Sequence, residues 1–366
     1  MARRGSLPFL LACLMALCGC GKKGPIEPPL VRVPQAAADL AVAQRGAALL
    51  VSWTNPTAYI DGNPLGGVSE VEIWLAKEDR RAEGPAKALT AEQFAGKAQL
   101  LAAVGPDKLD SLRTKGSGTG SEFTYSYSPA SEDLGRKVLT FSVRVKDRKN
   151  KVSAFAEPVS QEARIPLVPP SYVRAVVFED HIRVSWERPE AAADGAALQS
   201  ESFNVYRSER ENPPSRLNTA PVKTTEFADK EFSFGKTYRY FVRTALESVP
   251  KVESENSEAA EALAKDTFAP AEPAGLTVIV GPGYIALSWQ AGREPDLAGY
   301  SVWRREPDGG EFVRVASLPV TDTAYSDDQV EKGRKYEYAI TALDGAGNES
   351  LRSAAAIGIA RDDFPR

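Results

Sequence analysis

Apolar and polar positions follow the same order in three short segments of the chain. Each segment is five residues long and ends in a tryptophan: 49–53 (Trp53), 182–186 (Trp186) and 285–289 (Trp289). In the second and third segments, polar or small residues stand between the apolar ones, which indicates a strand with one buried face. The tryptophans are in phase with the apolar positions, so we expect them to point into a hydrophobic core.

Two further patterns follow each tryptophan in the same order. A short apolar–aromatic segment occurs at 71–74, 203–206 and 300–303, and a longer alternating segment at 139–145, 238–244 and 336–342. In the second and third copies the longer segment begins Tyr-x-Tyr and comes after a glycine, Gly235 or Gly333. A final strand, for example 353–359, closes each copy. The pattern predicts three copies of one antiparallel β unit.

The tryptophan strand, the aromatic strand and the Tyr-x-Tyr strand together resemble the fibronectin type III module, over residues 35 to 361. The resemblance implies an all-β fold of three tandem immunoglobulin-like sandwiches, each with seven strands and ~100 residues. It also implies that Tyr238 and Tyr336 are tyrosine-corner residues, whose hydroxyls bond the backbone a few residues upstream. The first copy has Leu139 at this position, which carries no hydroxyl.

The predicted domains are 35–165, 168–265 and 271–361. Prolines mark both joints (Pro166, Pro169 and Pro170; Pro270 and Pro273). Such joints are typical of short, stiff linkers, so we expect an extended row of modules.

The first domain carries additional residues, because Trp53 and Trp186 are 133 positions apart whereas Trp186 and Trp289 are 103 apart. The insertion spans 78–122. Within it, Thr90 and Gln93 form the pattern of a capping box, and apolar residues from Phe94 to Ala102 follow at helical spacing. The sequence therefore predicts an inserted helix that stops at 105–106, followed by a Gly/Ser-rich loop at 116–121.

The N-terminus has the layout of a secretory signal. Arg3 and Arg4 precede an almost wholly apolar run, 7–17, which is too short to span a bilayer. The run ends in Leu-Cys-Gly-Cys at 17–20, which resembles the lipobox of bacterial lipoproteins. The resemblance implies a cleaved signal peptide at 1–19, a lipid anchor on Cys20 and a proline-rich spacer at 20–34. Two or more acyl chains would anchor the protein stably in a membrane.

The residue after Cys20 is Gly21 and not aspartate. Under the sorting rule of enteric-type bacteria, this favours the outer membrane over the inner membrane. An ordinary secretory signal is the alternative interpretation. Residues 20–25 also resemble the start of a small lipoprotein associated with lipopolysaccharide transport, and a basic spacer near anionic head groups explains them equally well.

Composition excludes several classes of function. The chain carries 45 Lys and Arg against 49 Asp and Glu, a net charge of −4, and removal of residues 1–19 takes away two arginines and makes it −6. This balance argues against a nucleic-acid partner. All three cysteines lie at or before Cys20, and His181 is the only histidine. The commoner zinc sites and any Ser-His or Cys-His mechanism are therefore excluded.

The sequence predicts no enzyme, cofactor or metal site. Carboxylate-only catalysis is not excluded by counting residues. The oxygen-rich segment 344–349 lacks the spacing of an EF-hand and is predicted to be a turn.

Three aromatic residues are the candidates for ligand contact: Trp74, Tyr206 and Trp303. By alternation they point away from the core, on the outer face of their sheet, where an aromatic ring can bind a sugar or anchor a protein. The alternative is that they pack under neighbouring long side chains such as Arg207 and Arg304. The functional hypothesis is a non-enzymatic, lipid-anchored cell-envelope protein with an unknown envelope protein as partner. The alternative is a carbohydrate-binding or accessory module with a polysaccharide partner.

Overall fold

The structure is a computed structural model that describes residues 32–81, 88–190, 195, 202–210, 212–246, 251–306 and 310–361. The predicted signal peptide, Cys20 and most of the spacer lie outside the described residues. The chain divides between Ile165 and Pro166 into two compact units. No helix of the described part is long and apolar enough to cross a bilayer.

The first unit contains eight strands and two α-helices among its described residues. The strands are β1 (Ala38–Arg45), β2 (Ala48–Thr54), β3 (Val68–Asp79), β4 (Gln99–Val104), β5 (Arg113–Lys115), β6 (Glu122–Tyr127), β7 (Lys137–Asp147) and β8 (Val159–Glu162). The helices are α1 (Ala91–Lys97) and α2 (Pro106–Ser111), and a 3-10 turn covers Ser131–Asp133.

The described part of the second unit contains strands only. The first group is β9 (Ser171–Val177), β10 (Ile182–Glu187), β11 (Ser202–Glu209), β12 (Ser215–Arg216), β13 (Glu226–Asp229), β14 (Thr237–Leu246), β15 (Val252–Glu253) and β16 (Ala260–Leu263). The second group is β17 (Thr277–Gly281), β18 (Tyr284–Ser288), β19 (Leu297–Arg305), β20 (Val313–Pro319), β21 (Ala324–Asp327), β22 (Lys335–Asp344) and β23 (Ala356–Ile359).

These strands form three antiparallel sandwiches, called modules 1, 2 and 3 below. Module 1 pairs β1-β2-β6-β5 in one sheet and β4-β3-β7-β8 in the other. Module 2 has β13-β10-β9 facing β12-β11-β14, with β15 and β16 also paired to β14. Module 3 has β17-β18-β21 facing β20-β19-β22-β23. The fold is therefore all-β, with three tandem fibronectin type III-like sandwiches.

Each module has its own hydrophobic core, built around one tryptophan. Trp53, Trp186 and Trp289 are almost fully buried, each in a separate cluster of apolar side chains. The indole N–H of Trp53 donates to Asn55 Oδ1 at 2.9 Å. The indole nitrogens of Trp186 and Trp289 have no hydrogen-bond partner among the described residues.

The predicted inserted helix is correct at its start and wrong at its end. Thr90 and Gln93 form the reciprocal capping box, and Phe94 is fully buried. However, α1 ends at Lys97, and residues 99–104 form β4, which pairs with β3 from Leu75 to Val71. The apolar residues after Phe94 suit either a helix or a strand, and the free edge of β3 offers the ladder hydrogen bonds that favour the strand.

The predicted helix stop at 105–106 is also wrong, because these residues begin a second helix. Gly105 is the N-cap of α2 and Pro106 stands at its first position. Proline suits this position because its missing N–H would have no intrahelical partner there. The predicted Gly/Ser-rich stretch at 116–121 forms a loop between β5 and β6.

Candidate functional site

The three candidate aromatic residues occupy one equivalent position in the three modules. Ile73 pairs with Val143, Val205 with Val242, and Val302 with Ile340, and all six side chains are buried in the cores. The residue that follows Ile73, Val205 or Val302 in its strand is the candidate aromatic: Trp74 in β3, Tyr206 in β11 and Trp303 in β19. Because neighbouring side chains of a strand point to opposite faces, each ring lies on the outer face of its sheet.

In module 1, the ring of Trp74 packs against a small apolar cluster that includes Leu89 and Phe94 of the insertion. It packs edge-on against Phe155 at 5.6 Å between ring centroids, and Phe155 packs in the same way against Phe94 of α1 at 5.4 Å. The guanidinium of Arg144 lies 4.8 Å from the Trp74 centroid, and Glu72 accepts hydrogen bonds from both residues. Trp74 therefore takes part in the packing of α1.

In module 2, the ring of Tyr206 is held by a buried ion pair. The Arg243 guanidinium lies over the ring at 4.0 Å from the centroid and donates to Glu253 Oε2 at 2.9 Å. The hydroxyl of Tyr206 donates to the same carboxylate, at 2.7 Å from Oε1. Asn204 Nδ2 also donates to Glu253 Oε1, at 2.5 Å. Arg243 is only 8% exposed, so the cation is fixed between the ring and the carboxylate.

The pKa values in this group reflect its burial. Burial and the hydrogen bond to the anionic Glu253 raise the pKa of Tyr206 to about 12. Burial alone would raise the pKa of Glu253, but hydrogen bonds from Tyr206, Arg243 and Asn204 hold it below its ordinary value. The neutral phenol and the ionised carboxylate are thus the stable forms over a wide range of pH.

In module 3, the arginine over the ring of Trp303 comes from the segment before β23 and not from the neighbouring strand. Position 341 of β22, equivalent to Arg243, is a threonine, and Trp303 Nε1 donates to its hydroxyl at 2.9 Å. The Arg352 guanidinium lies 4.7 Å from the Trp303 centroid and 5.0 Å from that of Phe312. Arg352 is exposed, and no carboxylate among the described residues pairs with it. The ring of Trp303 is therefore held by a hydrogen bond to Thr341 and by stacking with an exposed arginine, without the buried ion pair of module 2.

The predicted covering residues, Arg207 and Arg304, lie elsewhere. Arg207 Nη1 donates to Asp229 at 2.7 Å, and Arg304 Nη1 donates to Asp327 at 2.8 Å. The expectation that they cover the outer aromatics is wrong, because each directly follows its aromatic in the strand and so points to the opposite face, where it pairs with a buried carboxylate.

The same two carboxylates accept a hydrogen bond from a buried tyrosine. Tyr240 Oη donates to Asp229 at 2.7 Å, and Tyr338 Oη donates to Asp327 at 2.8 Å. Burial and the nearby carboxylate raise the pKa of both tyrosines. These networks are not among the sequence-based predictions above, although the equal spacing of 11 residues between each aspartate and its tyrosine is a signal of them.

The tyrosine-corner positions make one local hydrogen bond each. Tyr238 Oη accepts from Ser233 N at 2.9 Å, and Tyr336 Oη accepts from Glu331 N at 3.0 Å. Both are five residues upstream. Leu139, at the equivalent position of module 1, is fully buried in the core and replaces the hydrogen bond by apolar packing.

Three carboxylates in the second unit lie close together: Asp266, Asp296 and Asp344 each offer one oxygen within 4.8 Å of the others. Oxygen ligands of this kind suit calcium or magnesium. Asp344 Oδ1 also accepts from the backbone N–H groups of Ala346 and Asn348, at 2.9 and 2.8 Å, which is the turn role that the sequence predicts. Hydrogen bonds from Asn348 and these N–H groups outweigh burial and lower the pKa of Asp344.

His181 lies in the turn before β10, as the sequence predicts. Its ring stacks on Phe178 with 4.8 Å between centroids, and Nδ1 is 2.7 Å from Asp180 Oδ1. The histidine therefore has a local partner on each side and stands beside no hydroxyl or thiol nucleophile among its described contacts.

Comparison with known proteins finds similar segments in larger proteins. One segment is 40% identical over 86 residues to an amylopullulanase of Thermoanaerobacterium thermosulfurigenes, covering 24% of this chain and 4% of that protein. A longer one is 27% identical over 256 residues to exoglucanase B of Cellulomonas fimi, covering 66% of this chain and 21% of that protein. The chain thus spans no more than about a fifth of these two relatives. No protein-family profile matches the chain.

Among solved structures, a Fn3-like protein from Clostridium thermocellum is 33% identical to this chain. The match covers 27% of this chain and all of the other, with a TM-score of 0.23.

Proposed function

We propose that the chain is a non-catalytic, lipid-anchored protein of the cell envelope, and that the outer face of module 3 contacts its partner. The observation that carries the proposal is the difference between the three equivalent aromatics. Trp74 packs against Phe155, which contacts Phe94 of α1, and Tyr206 is held by a buried ion pair. Trp303 donates a hydrogen bond to Thr341, and the cation over its ring is the exposed Arg352, which a partner can displace at low cost.

The lipid anchor rests on the sequence around Cys20 alone. The experiment is to replace Cys20→Ser in the producing bacterium and to separate membranes from soluble protein. The proposal expects the wild-type chain in the membrane fraction and the variant in the soluble fraction, with Cys18→Ser as a matched control that stays in the membrane. A Cys20→Ser chain that remains membrane-bound would contradict the anchor.

The contact surface is tested separately by capture of envelope components on the purified protein. Trp303→Ala should lose the captured component, whereas Trp74→Ala should lose stability of module 1 but keep the captured component. Turnover of an envelope substrate by the purified chain would contradict the non-catalytic part of the proposal.

A role as an accessory module for polysaccharide is the second candidate. It is supported by the similar segments in an amylopullulanase and an exoglucanase, enzymes whose names state polysaccharide substrates. The test is to titrate soluble glycans and follow tryptophan fluorescence, with Trp303→Ala in parallel. Absence of a response across a broad glycan panel would contradict this candidate.

A further inference from the structure

Module 1 contains a cleft that its insertion forms, at a site with no assigned role. The cleft has a volume of about 410 Å³ and is lined by β3, the end of α1, β4 and β6. Its apolar lining includes Leu100, Leu101 and Tyr127, and its polar lining comprises Lys77, Lys97 and Gln99. A concave site of this size with a few convergent polar groups is typical of small-ligand sites.

The two ammonium groups of the cleft are already neutralised by carboxylates of the chain. Lys77 Nζ lies 2.6 Å from Asp133 Oδ2, and Lys97 Nζ lies 2.6 Å from Glu78 Oε1. An ammonium has three N–H donors, so each lysine keeps a donor for a ligand, and the side-chain amide of Gln99 in the lining supplies both donors and an acceptor. The cleft therefore offers donors and an acceptor together with little net charge, which disfavours a strongly anionic ligand.

The apolar lining is exposed where the cleft opens. Leu100 is 50% exposed on β4, an unusual position for a large apolar side chain on an edge strand. Tyr127 is half-buried and packs edge-on against Phe141 at 5.7 Å, so that its ring is fixed in orientation. A fixed aromatic ring and an aliphatic side chain can pack against the C–H face of a sugar ring while polar groups reach its hydroxyls.

We infer that this cleft binds a short segment of a neutral carbohydrate. The inference deepens the second candidate function and rests on it, because it names the ligand class and the module that binds it. The cleft depends on α1 and β4, and the strands at the corresponding sheet edges of modules 2 and 3, β12 and β20, have no helix before them among the described residues. The extra residues of module 1 would then have a binding role besides packing against Trp74.

Isothermal titration of the full chain with maltotetraose, and separately with cellotetraose, tests the inference. We expect one of the two to bind, with Tyr127→Ala and Leu100→Ser each weakening the affinity by about tenfold or more. Leu351→Ser is the matched control, because Leu351 is 79% exposed in module 3 and outside the cleft, and it should leave the affinity unchanged. Leu100→Ser keeps the test valid if Tyr127→Ala fails to fold.

Three results would overturn the inference. The first is the absence of measurable binding heat with either tetrasaccharide at about 10 mM, a concentration tenfold above a Kd of about 1 mM. The second is binding that Trp303→Ala abolishes while Tyr127→Ala and Leu100→Ser leave it unchanged, which would keep the second candidate function and remove the cleft. The third is tighter binding of tetragalacturonate than of either neutral tetrasaccharide, which would contradict the neutral ligand.

Discussion

Modules 2 and 3 differ in the residues that surround the aromatic side chain at one equivalent position of the same sheet. Both modules place an aromatic residue on the outer face of the sheet. Both also have a glutamate nearby, Glu253 in module 2 and Glu349 in module 3, and the backbone N–H of the serine that follows it donates to β14 or β22. In module 2 an arginine on β14 joins this glutamate and the ring into one buried group. In module 3 the position on β22 is Thr341, and Arg352 reaches the ring from the segment before β23.

The difference shows that the fold fixes where the aromatic lies but not whether it is available. Where module 2 has Arg243, module 3 has Thr341, so the equivalent Glu349 has no arginine beside it on this strand. Glu349 is exposed and accepts a hydrogen bond from Thr341 Oγ1 at 2.5 Å. In module 2 the cation over the aromatic ring is therefore buried and paired with a carboxylate, whereas in module 3 the cation over the ring is exposed, and the ring itself is hydrogen-bonded to Thr341.

The largest expected effect comes from the two glutamates. Glu253→Gln keeps the shape of the side chain but leaves the buried Arg243 without a counter-charge, so we expect the free energy of unfolding to fall by about 3 kcal/mol. The matched Glu349→Gln should lower the free energy of unfolding by less than about 1 kcal/mol, because the side chain of Glu349 is exposed to solvent. Chemical denaturation of both variants, with hydrogen exchange to locate the loss in module 2 or 3, measures the contrast. Equal losses would contradict the comparison.

A second pair of variants concerns the arginines. Arg243→Met should cost about 2 kcal/mol, because it leaves Glu253 without its cation, whereas Arg352→Met should cost less than about 0.5 kcal/mol. Acrylamide quenching should also increase at Trp303 in Arg352→Met if this arginine covers the ring. A loss of stability in Arg352→Met as large as that in Arg243→Met would contradict the difference between the two modules.

The tyrosine corners occur in both modules, so modules 2 and 3 should respond alike when these hydrogen bonds are removed. Tyr238→Phe and Tyr336→Phe each remove one acceptor for a backbone N–H, so each should cost about 1 kcal/mol. Equal values, measured by denaturation, would confirm that the scaffolds are energetically alike. A difference of more than about 1 kcal/mol between the two would instead place the contrast in the scaffold.

The smallest effect is the pH dependence at Tyr206. Its pKa is raised from 10.0 to about 12 in the folded chain, so its contribution to stability is complete below pH 10 and is lost as the pH rises towards 12. Because the phenol is only partly buried, solvent screening should limit the loss to less than about 1 kcal/mol. Denaturation at pH 8 and at pH 11.5 should show a smaller alkaline loss in Tyr206→Phe than in the wild type. An identical loss in both would contradict this assignment.

The sequence predicts the repeated scaffold well because the scaffold depends on local alternation. Trp53, Trp186 and Trp289 are inward because period two leaves them no other face. The availability of Trp74, Tyr206 and Trp303 is less predictable, because it depends on residues far away in the chain: Phe155 and α1, Glu253, and Arg352. Alternation gives the face of a side chain but says nothing of which distant segment covers it.

The early end of α1 has a similar cause. The spacing from Phe94 to Ala102 satisfies a helix, and only the free edge of β3, brought close by the fold, favours a strand at β4. The Asp229–Tyr240 and Asp327–Tyr338 pairs could have been found from their equal spacing, because each joins two strands that are consecutive in the chain and lie in facing sheets.

The most direct test of the account is photo-crosslinking in the producing cells. A photoreactive phenylalanine analogue would replace Trp303 in one strain and Tyr206 in another, followed by identification of captured envelope components. The account predicts a specific crosslinked partner at position 303 and none at position 206. Equal capture at both positions, or capture at 206 alone, would contradict the claim that module 3 presents the contact surface.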